Sequence, residues 1–429
     1  MLPRVVRAGM LLLGSLIPAT GHAQQLTSQI GQLFTFPAGC TTFICLINLG
    51  NGHGDHFKPA ADRDGTAFIA FITQSIGTSV SNTPISSSSS GITFRFEGIR
   101  PVATSTSGGP IFAERAQTLG RGRWFAGMGL TQMDFQRLRG VPLDRITFNY
   151  THEDADGNGL GSPNFENDLI RVQVAMNVSL MVASFGLTYG LVDGVDIGVT
   201  VPFVRTAMSG TSVAQIVPAD PSQIFHYFGG TATDPVLTAV RTVRGSSAGI
   251  GDVEGHLKIN VAQGDHVGVA VFGSARFPTG DENNLLGSGA FSGKGLGVLS
   301  VRLGQLATHL NLGYTVRDAV TQNNSVSGAL GYDLLVAPTV TMAFDVISDW
   351  QIGASNLKVP APVVYTLPIT RTLDVTNIPS QPDNYLGLSF GFKFRTHRGI
   401  EIVTNALFPL RDSGLQPNVA WTGALQYNF

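Results

Sequence analysis

The last eleven residues of the chain, Val419-Ala420-Trp421-Thr422-Gly423-Ala424-Leu425-Gln426-Tyr427-Asn428-Phe429, decide the fold. Apolar residues and one glycine occupy every second position, and small or polar residues occupy the positions between them. Side chains of a β-strand point alternately to the two faces of a sheet, so this pattern predicts a strand with one apolar and one polar face. A strand of a soluble protein can show the same pattern. Only repetition of the pattern along the chain distinguishes a membrane β-barrel from a soluble β protein.

The same alternation recurs upstream. It is present in residues 170–182, 195–202, 267–272, 310–317, 340–346 and 386–395. Repeated strands of about ten residues with this period are typical of transmembrane β-barrels. In a bilayer every backbone N–H and C=O group must be paired, so strands cross only as a closed barrel. We therefore predict an all-β protein, a transmembrane antiparallel β-barrel whose apolar faces meet lipid and whose polar faces line a wet lumen. A secreted β-sandwich or solenoid is the alternative.

The composition agrees with a barrel. Glycine accounts for 52 of 429 residues, and charged residues for only 13%, about half of the usual ~25%. Hydrophobic residues make up 43% of the chain. Beyond the first two dozen residues, no stretch approaches the roughly 18 unbroken apolar residues of a spanning helix. A transmembrane β-barrel explains how a chain can be this apolar and this poor in charge without containing a spanning helix.

The first 23 residues have the order of a secretory signal peptide. Arg4 and Arg7 form the positive region, residues 8–17 form a short apolar region, and Gly21-His22-Ala23 is a small-x-small cleavage site. Removal of this segment leaves 25 basic residues against 29 acidic ones, which provides no basic surface for nucleic acid. The expected location is the outer membrane of a Gram-negative cell, with outer-membrane lipid and the barrel-assembly machinery as partners.

Short and long connections alternate between the predicted strands. The short ones are 192–194, 263–265, 304–305, 337–338 and 397–399, and the long ones are 138–166, 207–245, 278–293 and 351–382. Periplasmic turns are short and extracellular loops are long in such barrels. Eleven strands are predicted from residue 167 to Phe429. The upstream segments Gly91–Phe96, Pro110–Leu119 and Trp124–Gln136 raise the count to fourteen, or to twelve if the first two lie inside the lumen.

Residues 24–90 do not alternate, and we predict that they form a unit separate from a barrel of residues 91–429. Apolar residues between Phe68 and Ile76 have helical spacing, and a run of serines follows at 86–90. We expect this unit to plug the lumen from the periplasmic side. The alternative is a loosely held periplasmic extension.

Cys40 and Cys45 are the only cysteines of a chain that is predicted to be exported. Oxidising compartments favour pairing, and the four residues between them permit a small disulfide loop. Two cysteines alone do not make a zinc site.

Charged residues on the polar faces are the candidate lumen lining. Asp252, Glu254, His256 and Lys258 share one strand parity, opposite the apolar residues of the same strand. A Lys or Arg on the lipid side costs about 2–4 kcal/mol at mid-membrane, so the charged parity should face the lumen. The remaining candidates are Asp196, Arg276, Arg302, Arg317, Asp345, Lys393 and Arg395, with Asp349. They form either a ligand- or proton-sensitive lining or a ladder of salt bridges.

The segment Asp154-Ala155-Asp156-Gly157-Asn158-Gly159 has the first half of a calcium-binding loop. Such loops take oxygen ligands from positions 1, 3 and 5, here Asp154, Asp156 and Asn158, with glycine at position 6. The closing acid belongs at position 12, which is Phe165, and Glu166 comes one residue late. A solvated turn is the alternative. No cofactor is predicted. Most of the nine histidines lack a recognisable partner motif for nucleophilic catalysis, and we predict that the chain is not an enzyme.

Several motifs carry a family resemblance. The terminal Phe429, with Tyr427 on the same parity, resembles the assembly signal of Gram-negative outer-membrane barrels. Three further features are more specific to one family. They are residues 249–254 (GIGDVE), residues 276–287 (RFPTGDENNLLG), and the Tyr-Gly-Leu of residues 189–191 that leads to the Val-Pro-Phe of 201–203. Together they resemble the outer-membrane family named for the meta-pathway of phenol degradation, over residues 90–429. That family is similar in build to the fatty-acid-transporter barrels, which import hydrophobic compounds through a plugged fourteen-stranded barrel.

The patterns predict an outer-membrane barrel, and the resemblance implies a channel for passive uptake of small hydrophobic or aromatic compounds. A general porin and a non-conducting structural or surface-interaction barrel are the alternatives. An apolar pocket between plug and wall favours the first, and an open charged constriction favours the porin. A fully blocked lumen with large structured loops favours the structural role.

Overall fold

The computed structural model describes residues 25–47, 54–81, 94–97, 100–103, 107–318 and 322–429. Two helices, α1 (Leu26–Gln32) and α2 (Lys58–Ser81), precede the main sheet. Among the described residues, no helix combines the length and hydropathy that crossing a bilayer requires. The predicted signal peptide and the serine run lie outside these residues.

Within the described part of the chain, twelve antiparallel strands form a closed barrel. In order around the wall, they are β3 (Trp124–Leu138), β6 (Leu169–Val192), β7 (Val195–Val217), β11 (Val253–Gln263), β12 (Val267–Phe277), β13 (Phe291–Leu303), β14 (Leu306–Asp318), β15 (Ser325–Ala337), β16 (Val340–Gln351), β19 (Tyr385–Arg395), β20 (Ile400–Pro409) and β21 (Leu415–Asn428). The last strand pairs with the first, and Phe429 and Trp124 exchange two backbone hydrogen bonds of 2.8 and 2.9 Å.

Nine shorter or additional strands complete the described set. Three of them, β4 (Val141–Pro142), β5 (Ile146–Thr151) and β10 (Thr238–Ile250), are hydrogen-bonded to the barrel sheet. The others form hairpins: β1 (Phe94–Glu97) with β2 (Arg100–Ala103), β8 (Gly229–Thr231) with β9 (Asp234–Val236), and β17 (Val363–Tyr365) with β18 (Arg371–Leu373).

The barrel therefore closes with twelve strands, the alternative count, and the preferred count of fourteen is wrong. The eleven strands predicted from residue 167 and the strand at Trp124 are all present. The part of the first upstream segment that is described, Phe94–Phe96, belongs to the separate β1–β2 hairpin. The second, Pro110–Leu119, is not a strand of the wall, because its backbone N–H groups are bonded to side chains of the wall.

The outer surface of the barrel is apolar. Val267, Val269 and Val271 of β12 are 46%, 39% and 52% exposed, whereas Ala270 and Phe272 between and beside them face inward and are buried. The outward residues of β14 and β21, such as Leu312 and Trp421, are exposed in the same way. A wide belt of exposed aliphatic and aromatic side chains is the surface that a barrel presents to lipid.

Strands β6 and β7 differ from the rest because their polarity inverts along their length. They have 24 and 23 residues, whereas the other wall strands have 10 to 15. In the half near the short turns, Leu187 and Ile197 point outward and are 41% exposed. In the half near the long loops, the apolar side chains of residues 170–182 point inward and are buried, while Arg171 is exposed. The expectation that the apolar face of residues 170–182 meets lipid is therefore wrong.

The inverted halves of β6 and β7 rise beyond the wall and form a sheet with β5 and β10, against which both N-terminal helices pack. The Phe68 ring of α2 stacks on Phe148 of β5 at 4.7 Å, and the Ser79 hydroxyl donates to the carbonyl of Leu415. Near α1, the Arg241 side chain of β10 donates to the carbonyl of Gln32. Both helices thus lie at the end of the barrel with the long loops, whereas we expected a plug at the short-turn end.

Candidate functional site

The interior of the barrel near the short turns contains residues 107–119, which we call the lumen segment. From α2 at the long-loop end, the chain reaches this segment and then continues through a tight turn into β3. Nearly all of the lumen segment is buried, and the side chain of Arg115 is only 1% exposed. The segment follows the inner wall from β19 to β7 and separates the wider part of the lumen from the short-turn end.

The first half of the lumen segment is held by one carboxylate and one ammonium group. Asp345 of β16 accepts hydrogen bonds from the backbone N–H groups of residues 111, 112 and 113, at 3.1, 3.3 and 3.3 Å. Lys393 of β19 donates to the carbonyls of Gly108 and Pro110, at 3.1 and 2.7 Å. A backbone without a strand partner must find other hydrogen-bond partners, and these two side chains supply them.

The second half is held in the same way by β14, β13, β11 and β7. The backbone N–H of Glu114 donates to Asn311, and the N–H of Leu119 donates to both oxygens of Asp196, at 3.1 and 3.0 Å. The Glu114 carboxylate also forms a salt bridge of 2.9 Å with Lys258, whose side chain is fully buried. Asp196, Lys258, Asp345 and Lys393 therefore line the lumen and bind the lumen segment.

Above the lumen segment lies a cavity of about 330 Å³. Its floor includes Phe112 and Glu114, and the end of α2 contacts its upper part through Ser75, Thr78 and Ser79. Small-molecule sites span about 300–1,000 Å³, and an aliphatic cavity of about 150 Å³ is large enough for benzene. The cavity thus accommodates a compound of one or two aromatic rings.

Most apolar lining residues lie on one side of the cavity and most charged ones on the other, with Phe272 and Leu296 among the charged residues and Asp383 and Gln416 among the apolar ones. The apolar wall comes mainly from β3, β20 and β21, with contributions from β16 and the loop after it. Its residues are Met133, Phe135, Ile347, Leu357, Leu407, Leu415 and Ala420. The charged wall comes from β11 to β14 and from β16. Its residues are Glu254, His256, Arg276, Lys294, Arg317 and Asp349. Strands β11 to β14 and strands β20, β21 and β3 lie on opposite sides of the ring, so a solute in the cavity meets both surfaces.

The charged wall is organised as neighbouring pairs. Arg276 is 2.8 Å from Glu254, and Arg317 is 3.3 Å from Asp349. His256 stacks on the ring of Phe272, with ring centroids 5.7 Å apart. These contacts place Glu254, His256, Arg276 and Arg317 at the cavity, in the arrangement of a salt-bridged lining.

Of the predicted lumen residues that do not border the cavity, three lie in turns and loops. Arg395 is 3.4 Å from Glu401 near the short turns, and Arg302 donates to the carbonyl of Asp265 in another turn. Asp252 lies at the junction of β10 and β11, where its carboxylate accepts from the backbone N–H groups of Gly280 and Ser288 at 3.1 and 2.9 Å. These residues organise loops and turns.

Residues 249–254 and residues 276–287, two of the segments that carry the family resemblance, contact each other at this junction. Besides the bonds to Asp252, the Thr279 hydroxyl donates to the carbonyl of Gly251 and accepts from the backbone N–H of Val253, at 2.6 and 3.0 Å. A Cβ atom at Gly287 would lie 2.3 Å from an oxygen of Asp252, so no larger residue fits there without movement. The motifs thus hold the β12–β13 loop against the wall at the point where β10 leaves it.

The predicted calcium-loop residues lie in the exposed loop between β5 and β6. One carboxylate oxygen from each of Asp154, Asp156 and Glu166 lies within 4.8 Å of the others. The Asp154 carboxylate accepts from the backbone N–H groups of Gly157 and Gly159, and the side-chain amide of Asn158 donates to Asp156. Glu166 therefore joins the cluster despite its shifted position.

Two other predicted features have defined positions. Cys40 and Cys45 are joined by a disulfide in the turn between α1 and α2. The Tyr427 and Phe429 rings stack at 5.6 Å on the outer surface, beside the strand closure.

The sequence analysis missed polar residues whose partners are distant in the chain. His309 lies 2.6 Å from Asp333 and 2.8 Å from the Ser300 hydroxyl, beside the lumen segment. Arg139, at the end of β3, forms a bidentate pair with Asp383 and lies 4.9 Å from the Phe71 ring of α2. No local motif marks these residues.

Outside the wall, burial changes the acidity of two tyrosines. Burial, with the nearby Asp62 and Asp64, raises the pKa of Tyr150, whose hydroxyl donates to the carbonyl of Phe34 at 2.7 Å. Burial also raises the pKa of Tyr365 to about 12, although Arg371 opposes this shift.

Comparison with known proteins gives distant outer-membrane barrels. No family model matches the sequence, and no curated protein does. An outer membrane channel from Pseudomonas putida F1 has 11% identity and a TM-score of 0.42, over 73% of this chain and 98% of that one. A FadL homologue from Pseudomonas aeruginosa has 11% identity and a TM-score of 0.31, over 72% and 89%. The deltaS2 mutant of the TodX monoaromatic hydrocarbon channel has 11% identity and a TM-score of 0.32, over 73% and 91%. Similarity at this level carries no conclusion about function.

Proposed function

We propose that this chain is an outer-membrane channel through which small compounds with an apolar, chiefly aromatic, body enter the cell passively. The observation that carries the proposal is the cavity of about 330 Å³ between α2 and the lumen segment, with an apolar wall opposite a charged one. A general pore needs no apolar wall. A purely structural barrel needs no cavity of this size.

The steps of passage follow from the positions of the elements. With the short turns in the periplasm, the long loops and α2 lie outside the cell, where a solute is captured. It then enters the cavity with its rings on Leu407 and Phe135 and any polar group toward Arg276. Release to the periplasm requires the lumen segment to shift, and its polar contacts to the wall can be exchanged for water.

The route of the chain to this membrane is part of the same proposal. We infer that residues 1–23 direct export and are removed, and that Phe429 serves the assembly machinery as a recognition signal. The motifs around Asp252 and Thr279 support membership of the family named for the phenol meta-pathway, and the amphiphilic cavity suits such substrates.

Uptake by cells with and without the gene tests this function. Labelled toluene or phenol should enter faster when the protein is present, whereas a labelled sugar should not. Leu407→Asp places a charge on the apolar wall. Burying a leucine side chain contributes about 1.5–3 kcal/mol. If the solute loses about half of a contact of that size, about 1.4 kcal/mol, its affinity for the cavity falls tenfold, and aromatic uptake should fall by about tenfold or more.

Ser292→Asp is the matched control. It adds the same charge on the opposite side, where Ser292 is paired in register with Arg276 and Arg317, and aromatic uptake should change little. Heat-dependent migration in gels would verify that both barrels fold. Equal aromatic uptake with and without the gene would refute the proposal, and equal effects of Leu407→Asp on aromatic and sugar uptake would favour a general pore.

A further inference from the structure

Three histidines from distant parts of the sequence meet at the long-loop end, away from the cavity. His56 precedes α2, His152 follows β5, and His226 lies in the loop between β7 and β8. One ring nitrogen from each lies within 4.8 Å of the other two. The closest pair, His56 Nδ1 and His152 Nε2, is 3.2 Å apart.

The two buried histidines are fixed in the same tautomer. His226 Nδ1 is 2.7 Å from a carboxylate oxygen of Asp168, and His152 Nδ1 contacts the carbonyl oxygen of Glu153. A carboxylate and a carbonyl only accept hydrogen bonds, so Nδ1 carries the hydrogen in both rings. In a neutral imidazole the lone pair is then on Nε2. Metal-binding histidines are typically oriented in this way, by a carboxylate or a carbonyl on the other nitrogen.

The spacing and the surroundings suit one small ion. Zinc binds histidine nitrogens at about 2.0–2.1 Å in a tetrahedron, whose ligand atoms are therefore about 3.3 Å apart. His152 and His226 are each 1% exposed, and the half-buried His56 gives access from solvent. The buried Phe57 ring lies edge-on to His152 and His226, at 5.2 and 5.1 Å, and excludes water on that side.

We propose that His56, His152 and His226 bind one Zn²⁺ ion, with Asp168 as the residue that orients His226. Imidazole ligands suit zinc and its transition-metal neighbours, whereas magnesium and calcium take oxygen. Three histidines leave a fourth position for water. The proposal is independent of what the barrel conducts.

The ion would tie the N-terminal helices to the loops of the barrel. The same chain segments already meet through backbone hydrogen bonds: Glu153 N donates to His56 O, and Ile47 N donates to Tyr227 O, both at 3.0 Å. A metal at the three histidines would reinforce this junction with bonds that depend on zinc.

Zinc binding to the full-length protein in detergent tests the proposal. After removal of metals with a chelator, the protein is dialysed against zinc chloride and its metal content is measured by mass spectrometry. The wild type should bind one zinc per chain, and His152→Ala and His226→Ala should lose it. His397→Ala, in an exposed turn of the barrel, should retain it. Asp168→Asn keeps all three ligands and should weaken zinc binding by about 10- to 100-fold.

A second measurement covers variants that fold poorly. Zinc should slow the release of the N-terminal helices by trypsin in the wild type and should have no effect in His56→Gln, which alters only the half-buried ligand. The proposal is overturned if the wild type binds no stoichiometric zinc, or if His152→Ala binds as much as the wild type. The contact between His56 and His152 would then be a hydrogen bond between two rings.

Discussion

Replacing Asp345 with asparagine should release the lumen segment without disturbing the barrel. The Asp345 carboxylate is completely buried and accepts three backbone N–H groups, two on Oδ2, from Ile111 and Phe112, and one on Oδ1, from Ala113. Asparagine keeps one acceptor oxygen and presents an NH₂ group where the other oxygen was. The amide oxygen can keep the two contacts at the Oδ2 position, so Asp345→Asn loses the contact with Ala113, and the two remaining bonds are no longer made to a charged group.

The size of the effect follows from these contacts. A hydrogen bond to a charged group contributes about 1.5–3 kcal/mol. The distances here, 3.1 and 3.3 Å at Oδ2, are longer than the about 2.7–2.9 Å of strong charge-assisted bonds, so the low end of the range applies. The lost bond costs about 1.5 kcal/mol and the two bonds that become neutral lose about 0.5 kcal/mol each, so a change of about 2.5 kcal/mol increases the population of the released segment on the order of 100-fold.

Hydrogen exchange at residues 111–113 measures this release directly. Protection should fall on the order of 100-fold in Asp345→Asn, and conductance across planar bilayers should rise with it. Asp349→Asn is the control, since Asp349 lies on the same strand and the same face but is bonded to Arg317, Ser325 and Ser327. Unchanged protection in Asp345→Asn, or an equal loss in both variants, would refute the argument.

Two further predictions concern the long-loop end. Arg139→Ala removes a buried bidentate pair of 2.8 Å with Asp383 and should destabilise the loops by about 3–5 kcal/mol. Arg137→Ala is the control: its contact with Asp412 is exposed, and its loss should cost less than about 1 kcal/mol. Denaturant titrations measure both changes. Tyr150 has a raised pKa, so the stability that it contributes is complete below pH of about 10 and is lost as the pH rises toward the folded pKa. Alkaline melting curves of Tyr150→Phe should show a smaller loss; an unchanged slope would contradict this.

The sequence predicts the wall of this barrel well, because each spanning strand must itself have an apolar face toward lipid and a polar face toward the lumen. In β12 and β14 alternation alone gives the strand and the outward face. The inverted half of β6, near the long loops, shows what alternation alone cannot predict. A period of two shows that a strand has one apolar face, but it does not show whether that face meets lipid or a packed core. In this half of β6 the apolar face meets a core to which α1 and α2 contribute. Polar outward residues such as Arg171 and Gln173 mark the change.

For Pro110–Leu119 the sequence left two placements open, a strand of the wall or a segment inside the lumen, and the placement inside the lumen changes the role of the charges that the sequence does reveal. In the structure residues 107–119 form no strand, because their backbone N–H groups are bonded to side chains of the wall. The backbone N–H and C=O groups of this segment are therefore hydrogen-bonded by the side chains of Asp345, Asp196 and Lys393, where a neighbouring strand would otherwise supply the partners. A charge used in this way is not available to a solute unless the segment moves. Under the proposed function, selectivity then depends on the cavity above the segment, where the charged residues pair with one another and Leu407 and Phe135 lie opposite them. If the chain conducts as proposed, passage and selection depend on different residues, and a variant that frees the segment should raise flux while leaving the preference for aromatic solutes intact.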